Sequence, residues 1–155
     1  MNESVMRRVL ELASQNVREG KGGPFAAAVV RGGEIIATGT NVVTSANDPT
    51  AHAEVVAIRN ACRALDRFQL DDCDLYTSCE PCPMCLGAIY WARPRCVYFA
   101  ATHQDAADAG FDDAFIYEEI ARTPEERRIP MTRVLERSAA DPFDTWRAFE
   151  GRIEY

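Results

Sequence analysis

The sequence predicts an α/β protein with three layers, in which a mixed sheet of five strands carries helices on both faces. The order of the apolar segments along the chain leads to this prediction. Segments with apolar residues at helical spacing alternate with short apolar runs, and strands separated by helices are typical of a mixed sheet covered on both sides. The length of 155 residues, with 47% hydrophobic and 26% charged residues, suits one domain spanning residues 1–155.

The chain opens with an amphipathic helix followed by a hairpin. Apolar residues recur at helical spacing over residues 5–17, and a glycine-rich stretch ends this helix. Two apolar runs follow, at residues 25–30 and 34–37. They are joined at Gly32-Gly33, a dipeptide that favours a tight turn, so we predict two strands connected as a hairpin.

A second long helix is predicted to begin at Asp48-Pro49. Aspartate is a favourable N-cap and proline fits the first helical position, so the helix should start there and run to about Leu65. His52 and Glu54 would then lie in its first two turns. The prediction therefore brings two chemically versatile side chains close to a helix N-terminus.

The next three elements are predicted in the order strand, helix, strand. A short apolar run indicates a strand over residues 73–77. Pro83 opens a helix that should stop before Pro94, because proline favours the first helical turn and disfavours the interior. Residues 95–101 have the apolar pattern of a buried strand.

The C-terminal part of the chain has weaker patterns. Short helices are expected near Ala106 and over residues 115–120. Residues 131–135 are expected to form the fifth strand. Asp141-Pro142 then opens a last helix, for the same capping reason as at the second long helix.

Charge and cysteine content restrict the compartment and the partners. The net charge is −7, whereas polyanion binding usually needs a basic face, so we expect no nucleic-acid partner. No apolar run approaches the roughly 18 residues that span a bilayer, and the acidic, amphipathic N-terminal segment is not a secretory signal. Three of the six cysteines crowd into residues 79–85, which suits a metal better than disulfides. We therefore expect a cytoplasmic protein without a membrane partner.

His52, Cys82 and Cys85 are the candidate metal ligands. One imidazole and two thiolates suit zinc. Both groups of ligands fall at predicted helix N-termini, where the helix dipole and the free N–H groups favour a thiolate. Three protein ligands leave a fourth position open, where a water would have its pKa lowered to about 7. The sequence thus predicts one catalytic Zn²⁺ per subunit.

Glu54 is the candidate proton carrier. It lies two residues after His52, close enough to accept the proton of such a water and deliver it to a substrate nitrogen. The combination of His-x-Glu with Pro-Cys-x-x-Cys resembles the signature of zinc-dependent nucleobase deaminases. A hydrolytic deaminase is therefore the leading hypothesis.

The alternative without catalysis is a closed structural zinc site. Cys79 could join Cys82, Cys85 and His52 to complete a Cys₃His set. Two arguments weigh against it. Cys79 lies at the end of a predicted strand rather than at the helix start. In addition, a structural zinc site would give Glu54 no chemical role.

Further stretches extend the resemblance to nearly the whole chain. They are GGPFAAAVV, NDPTAHAEVVAIRNAC, LYTSCEPCPMCLGAIYWARP, AGFDDAFIYEEI and the terminal Glu154-Tyr155. Together they resemble the cytidine deaminase superfamily, and more closely its bacterial guanine deaminases. The resemblance implies a cytidine-deaminase-like fold and hydrolysis of guanine to xanthine and ammonia, a reaction of purine catabolism and salvage.

The same resemblance implies a purine-binding site. Asn41 and Asp113 would hydrogen-bond the purine, and Phe25 and Trp91 would line the pocket or stack on the base. The implied substrate-binding residues are Asn41, Phe25, Ala53, Trp91, Asp113 and Tyr155.

The resemblance further implies a homodimer. Each chain would exchange a C-terminal segment, from about residue 121 to residue 155, with its partner. Tyr155 would then enter the partner's site and cap the purine.

Other substrates remain open from the residues alone. A tRNA adenosine deaminase shares the zinc signature, but it must hold flanking phosphates, which the acidic balance disfavours. Cytosine, cytidine or an amino-triazine would be distinguished from guanine by pocket size, which the sequence does not specify.

Overall fold

A computed structural model describes residues 1–155, apart from the side chain of Glu136. The chain forms two compact units, Met1–Asp113 and Ala114–Tyr155. In the first unit the elements are α1 (Glu3–Arg18), β1 (Ala26–Arg31), β2 (Glu34–Thr40), α2 (Val43–Ala46), α3 (Ala53–Leu65), β3 (Cys73–Cys79), α4 (Pro83–Ala92), β4 (Cys96–Ala101) and α5 (His103–Asp108). In the second they are α6 (Ala114–Ala121) and α7 (Asp141–Ala148), with 3₁₀ turns at Pro124–Glu126 and Glu136–Ser138. Across the described chain, each helix is too short or too polar to cross a membrane.

The sheet has four strands in the order β2-β1-β3-β4. Strand β1 pairs antiparallel with both β2 and β3, whereas β3 and β4 are parallel, so the sheet is mixed as predicted. The turn between β1 and β2 contains Gly32 and Gly33, both with positive φ, which confirms the predicted hairpin.

The predicted fifth strand, residues 131–135, is wrong. Met131, Val134 and Leu135 have 55%, 71% and 81% of their surface exposed, and Leu135 has a φ of 52°, outside the extended region. An apolar run becomes a strand only when a neighbouring strand satisfies its backbone hydrogen bonds, and that pairing is not encoded locally.

Helices cover both faces of the sheet. Alternate residues of β1 point to opposite sides: Ala27 and Val29 pack in a core with α3 and α4, whereas Ala28 and Val30 pack in a second core with α1. The α/β class with helices on both faces is therefore confirmed.

Helix α1 buries a slightly different face from the one its apolar pattern predicts. Val5, Val9, Ala13 and Asn16 are buried, while Val17 is 49% exposed. The helix therefore turns a polar asparagine, rather than the last valine of the apolar pattern, toward the protein interior.

Helix α3 begins later than predicted, at Ala53 instead of Pro49. The Asp48 carboxylate accepts hydrogen bonds from the backbone N–H and the hydroxyl of Thr50, at 2.8 and 2.7 Å, so it stabilises a turn instead of a helix start. His52 is consequently the N-cap of α3 and lies just outside its first turn. This shift is small in sequence, but it changes the direction in which the imidazole leaves the backbone.

In the second unit, α6 and α7 confirm the helices predicted over residues 115–120 and from Asp141. Large apolar side chains of this unit are exposed. They include Ile120, Ile129, Val134, Leu135, Phe143, Phe149, Ile153 and Tyr155, each with more than half of its surface accessible.

Candidate active site

The three predicted metal ligands converge. The Nδ1 atom of His52 lies 3.5 Å from the Sγ atom of Cys82 and 3.6 Å from that of Cys85. All three ligand atoms lie within 4.8 Å of one another. His52 precedes α3 and the two cysteines begin α4, so the N-termini of two helices meet at this point.

The arrangement fits zinc in its geometry as well as in its donor set. Tetrahedral zinc with ordinary Zn–S and Zn–N bond lengths would hold sulfur and nitrogen ligands about 3.6 Å apart. The two nitrogen–sulfur separations agree with that value. One nitrogen and two sulfur ligands also leave the open position that distinguishes a catalytic site from a closed one.

Local structure prepares these side chains to bind a cation. Cys82 is the N-cap of α4 with extended backbone angles, and Pro83 occupies the first helical position. The pKa of Cys82 is lowered to about 4, first by the hydrogen bond from the Cys85 thiol and then by His52. The pKa of Cys85 is raised by the same hydrogen bond and by burial. One thiolate is thus already favoured, and a cation would favour the second.

Glu54 lies against this group with only 6% of its surface exposed. Its Oε2 atom lies 3.5 Å from the Sγ atom of Cys85. Burial raises the pKa of Glu54 above its ordinary value. A carboxyl group that is buried beside a metal site, with a pKa moved toward neutrality, is suited to taking up and releasing a proton.

Cys79, the fourth ligand of the structural alternative, faces elsewhere. It ends β3, and its Sγ atom donates to the Thr102 carbonyl at 3.4 Å. Burial raises its pKa to about 11, so the thiol form is favoured. The geometry therefore favours an open three-ligand site over a closed Cys₃His site.

Asn41 follows β2 and is held by backbone contacts. Its N–H donates to the Phe25 carbonyl at 3.0 Å. Its side-chain Oδ1 atom accepts from the N–H groups of Gly23 and Val43, both at 3.4 Å. Because the oxygen faces these donors, the orientation of the amide is set and Nδ2 points away from them.

Phe25 precedes β1 and pairs with an aromatic residue that the sequence did not single out. The ring of Phe111 meets it edge to face, with centroids 5.0 Å apart and an angle of 87° between the planes. Gly23 lies beneath both rings: a Cβ there would be 3.2 Å from Phe25 and 3.5 Å from Phe111.

Asp113 is half-buried in the first unit. Its pKa is raised, first by burial and then by the negative charge of Cys82. The pKa of His52 is raised mainly by its hydrogen bond with Cys82. The negative charge of Asp113 raises it further. Asp113 therefore lies within electrostatic range of the metal-binding group.

Glu80 and His103 form an ion pair that sequence reasoning missed. The Oε2 atom of Glu80 lies 2.9 Å from Nδ1 of His103, and this contact raises the pKa of the imidazole and lowers that of the carboxyl. The two residues follow β3 and β4. Because those strands are parallel, their C-terminal ends share one edge of the sheet, and that topology was the available signal.

The remaining predicted residues lie at three different places. Ala53 is fully buried as the first residue of α3, directly after His52. Trp91 lies near the end of α4 with 62% of its surface exposed. Tyr155 belongs to the second unit and is 70% exposed.

Comparison with known proteins extends over the whole chain. A guanine deaminase of Bacillus subtilis (strain 168) is 58% identical over 154 residues, which cover 99% of this chain and 99% of that protein. The X-ray structure of a guanine deaminase from Bacillus subtilis, 59% identical, aligns with a TM-score of 0.98 and covers 100% of this chain and 99% of that one.

More distant relatives match less of the chain. A structure of guanine deaminase from Nitrosomonas europaea, 41% identical, aligns with a TM-score of 0.70 over 73% of this chain and 65% of that one. A tRNA-specific adenosine deaminase of Aquifex aeolicus is 46% identical over 78 residues, covering 50% of this chain and 52% of that protein.

The family is shown by a match over the N-terminal two thirds of the chain. The zinc-binding region of cytidine and deoxycytidylate deaminases matches residues 1–101, which contain the three converging ligands and Glu54. This chain belongs to the cytidine and deoxycytidylate deaminase family.

Proposed function

We propose that this protein hydrolyses free guanine to xanthine and ammonia. The observation that carries the proposal is the 58% identity with a guanine deaminase across 99% of the chain. That likeness includes the C-terminal segment, whereas the match to the tRNA-specific adenosine deaminase is confined to 50% of the chain. Similarity to the guanine enzyme therefore extends well beyond the shared zinc region.

His52, Cys82 and Cys85 would hold the zinc ion. When bound, zinc supplies a water nucleophile at neutral pH by lowering the pKa of that water. The three residues keep the ion between two helix N-termini, at the Nδ1–Sγ separations of 3.5 and 3.6 Å.

Glu54 would move the protons. Hydrolysis forms a C–O bond at the ring carbon that bears the amino group and breaks the C–N bond to that group. The attacking water must lose protons, and the ring nitrogen and the departing amine must gain them. Glu54, which is buried and lies 3.5 Å from the Cys85 sulfur, would accept a proton and return it, and its burial supports this role.

Recognition of the purine would use complementary hydrogen-bonding groups. The Nδ2 group of Asn41 is a donor, which suits the carbonyl oxygen or a ring nitrogen of guanine. Asp113 is an acceptor, which suits the N–H groups of guanine. Phe25 and Trp91 offer aromatic surface to the flat faces of the base, and Ala53 would line the floor of the site beside the ligands.

We further propose that the protein acts as a homodimer with exchanged C-terminal segments, from about residue 121 to residue 155. The exposed apolar side chains of that segment support the exchange, since surfaces of this kind require a partner. Tyr155 would then close the site of the other subunit over the purine and exclude water.

The cytoplasm is the proposed location. In the described chain all six cysteines are free, which is typical of a reducing compartment.

The proposal is tested by measuring ammonia release from guanine, adenine, cytosine, guanosine and cytidine with the zinc-loaded protein. We expect release from guanine to exceed that from every other substrate. Glu54→Gln should lower the guanine rate by about 10²- to 10⁴-fold, the usual contribution of a general acid–base group, while zinc content stays unchanged. Release from cytidine without release from guanine would refute the substrate, and an active Glu54→Gln variant would refute the proton carrier.

A further inference from the structure

Asn16 is a polar residue on the buried face of α1. It follows Val5, Val9 and Ala13 at helical spacing, and only 2% of its surface is exposed. An apolar residue at this position would extend the core between α1 and the sheet. Asparagine is also a poorer helix former than leucine or alanine, so neither helix formation nor apolar packing explains its presence.

The Asn16 amide joins two loops that include Phe25 and Asn41, two residues of the proposed purine-binding set. Its Nδ2 group donates to the carbonyl of Gly23 at 2.9 Å and to the carbonyl of Asn41 at 2.8 Å. Gly22 brings the same segments together from another direction, because a Cβ at Gly22 would lie 2.1 Å from the Asn41 carbonyl oxygen. One side chain of α1 thus ties the loop before β1 to the residue after β2.

These loops set the orientation of the Asn41 side chain. Its Oδ1 atom accepts from the N–H of Gly23, a residue whose carbonyl is held by Asn16. The backbone carbonyl of Asn41 itself is the second acceptor of Asn16. Movement of either loop would therefore rotate or displace the Asn41 amide.

The position of Asn16 also has an energetically unfavourable feature. Its own Oδ1 atom is buried and lacks a hydrogen-bond partner among the residues that the structure describes. A buried, unsatisfied acceptor is generally destabilising. Core packing alone does not explain a buried side chain with an unsatisfied acceptor. The two bonds that Asn16 donates to the Gly23 and Asn41 carbonyls offer an explanation, because they fix the position of those backbones.

We propose that Asn16 is a positioning residue for substrate recognition, which holds the Gly23 and Asn41 backbones so that the Asn41 amide faces the purine. This inference rests on the proposed function, in which Asn41 hydrogen-bonds guanine. Asn16 itself does not touch the substrate. Its effect should therefore appear in substrate binding and should require Asn41.

The test is a double-mutant cycle with zinc-loaded protein, comparing wild type, Asn16→Leu, Asn41→Ala and the double variant. Leucine has the same number and branching of side-chain heavy atoms as asparagine, although its volume is larger, and it donates no hydrogen bond. Asn16→Leu should raise KM for guanine about three- to tenfold, the worth of one hydrogen bond, with kcat little changed. In the Asn41→Ala background, Asn16→Leu should raise KM no further.

A second measurement does not depend on activity. Amide hydrogen exchange at Gly23 and Val43, the two N–H donors to Asn41, should accelerate in Asn16→Leu. Asn16→Ala, which retains a strong helix former, serves for the same measurements if Asn16→Leu does not fold. If wild type fails to hydrolyse guanine, the proposed function is wrong, while the exchange data still test the contacts of Asn16.

Asn60→Leu is the matched control. Asn60 lies on α3 and donates from Nδ2 to the Thr38 carbonyl at 2.9 Å, so leucine removes the same kind of bond elsewhere in the fold. It should leave KM and the exchange at Gly23 and Val43 unchanged. The inference is overturned if Asn16→Leu leaves those two amides unaffected, or if it raises KM equally with and without Asn41.

Discussion

His52 and Cys82 are N-caps of two different helices, and the Nδ1 and Sγ atoms of their side chains lie 3.5 Å apart. Each side chain therefore leaves the backbone where the N–H groups of a helix are still unpaired, a position that favours negative charge. The metal-binding group is built by the meeting of α3 and α4. Its integrity depends on how those helices pack on the sheet as much as on the ligands themselves.

Loss of a ligand should release the metal. Cys82→Ser removes one thiolate, so zinc content measured after dialysis should fall well below one ion per chain, and guanine hydrolysis should be lost. Thermal stability should fall to that of wild type treated with a chelator, because metal binding contributes only to the folded state. A Cys62→Ser variant, changed at a thiol outside the ligand group, should keep its zinc.

Gly39 should be intolerant of a side chain. A Cβ there would lie 2.3 Å from the Ala53 carbonyl oxygen and 2.4 Å from the Ala57 nitrogen, so α3 could not keep its place on β2. We expect Gly39→Ala to destabilise the protein by about 1–3 kcal/mol in urea denaturation and to weaken zinc binding, since His52 begins the displaced helix.

Gly87→Ala is the control for that substitution. A Cβ at Gly87 would meet nothing within 4 Å, and the residue lies within α4. Alanine should be neutral or should stabilise the helix by about 0.5–1 kcal/mol. Equal destabilisation by Gly39→Ala and Gly87→Ala would contradict the assigned contact between β2 and α3.

The proposed exchange of the C-terminal segment makes a kinetic prediction. Deletion of Tyr155 should lower guanine turnover by at least about tenfold, equivalent to about 1.4 kcal/mol, because the site would no longer close over the base. Zinc content should remain that of wild type, since the ligands lie in the first unit. Unchanged kinetics in the deletion variant would separate the tail from the active site.

Mixing experiments test the exchange itself. A chain without Tyr155 but with intact ligands, combined with a Glu54→Gln chain that keeps its tyrosine, should regain activity if tails are exchanged between subunits. A tail that folds back on its own chain predicts no recovery, since neither chain would then contain a complete site.

The ion pairs that Asp72 forms with Arg67 and Arg31 should make the free energy of unfolding depend on pH in the acid range. Asp72 accepts from Arg67 and from Arg31, the latter at 2.7 Å, and its pKa is lowered to about 2, mainly by the Arg67 hydrogen bond. A depressed pKa means that the ionised form stabilises the fold above about pH 4, the ordinary pKa of aspartate, and that this contribution is lost as pH falls toward 2.

At pH 7, Asp72→Asn should therefore unfold at a lower urea concentration than wild type. The difference between the two urea midpoints should become smaller below about pH 4. The matched variant is Asp71→Asn in the same turn, whose carboxylate is 73% exposed and 3.6 Å from Arg67. Asp71→Asn should lower the urea midpoint less than Asp72→Asn does at pH 7, because exposed ion pairs contribute little to stability. If the difference in urea midpoint between Asp72→Asn and wild type stays constant from pH 7 to pH 3, the stabilising role of the ionised Asp72 carboxylate is wrong.

Much of the site could be read from local sequence. Cys82 and Cys85 are three residues apart at a helix start marked by Pro83, and this spacing alone brings two thiols to one point. His52 and Glu54 are likewise linked by local spacing at the start of α3. The chemistry of these side chains then indicates zinc and a proton carrier without knowledge of the fold.

The sequence alone was sufficient where neighbouring residues decide the outcome, as in the α1 helix, the Gly32-Gly33 turn and the proline-marked start of α4. Tertiary structure decided the rest. Residues 131–135 form no strand because pairing needs a distant partner, and His52 became an N-cap because Asp48 bonds Thr50 instead of capping the helix. Asn16 and its two carbonyl acceptors are brought together only when α1 packs on the sheet. Contacts between residues far apart in the chain depend on the packing of whole elements, and a local pattern does not contain that information.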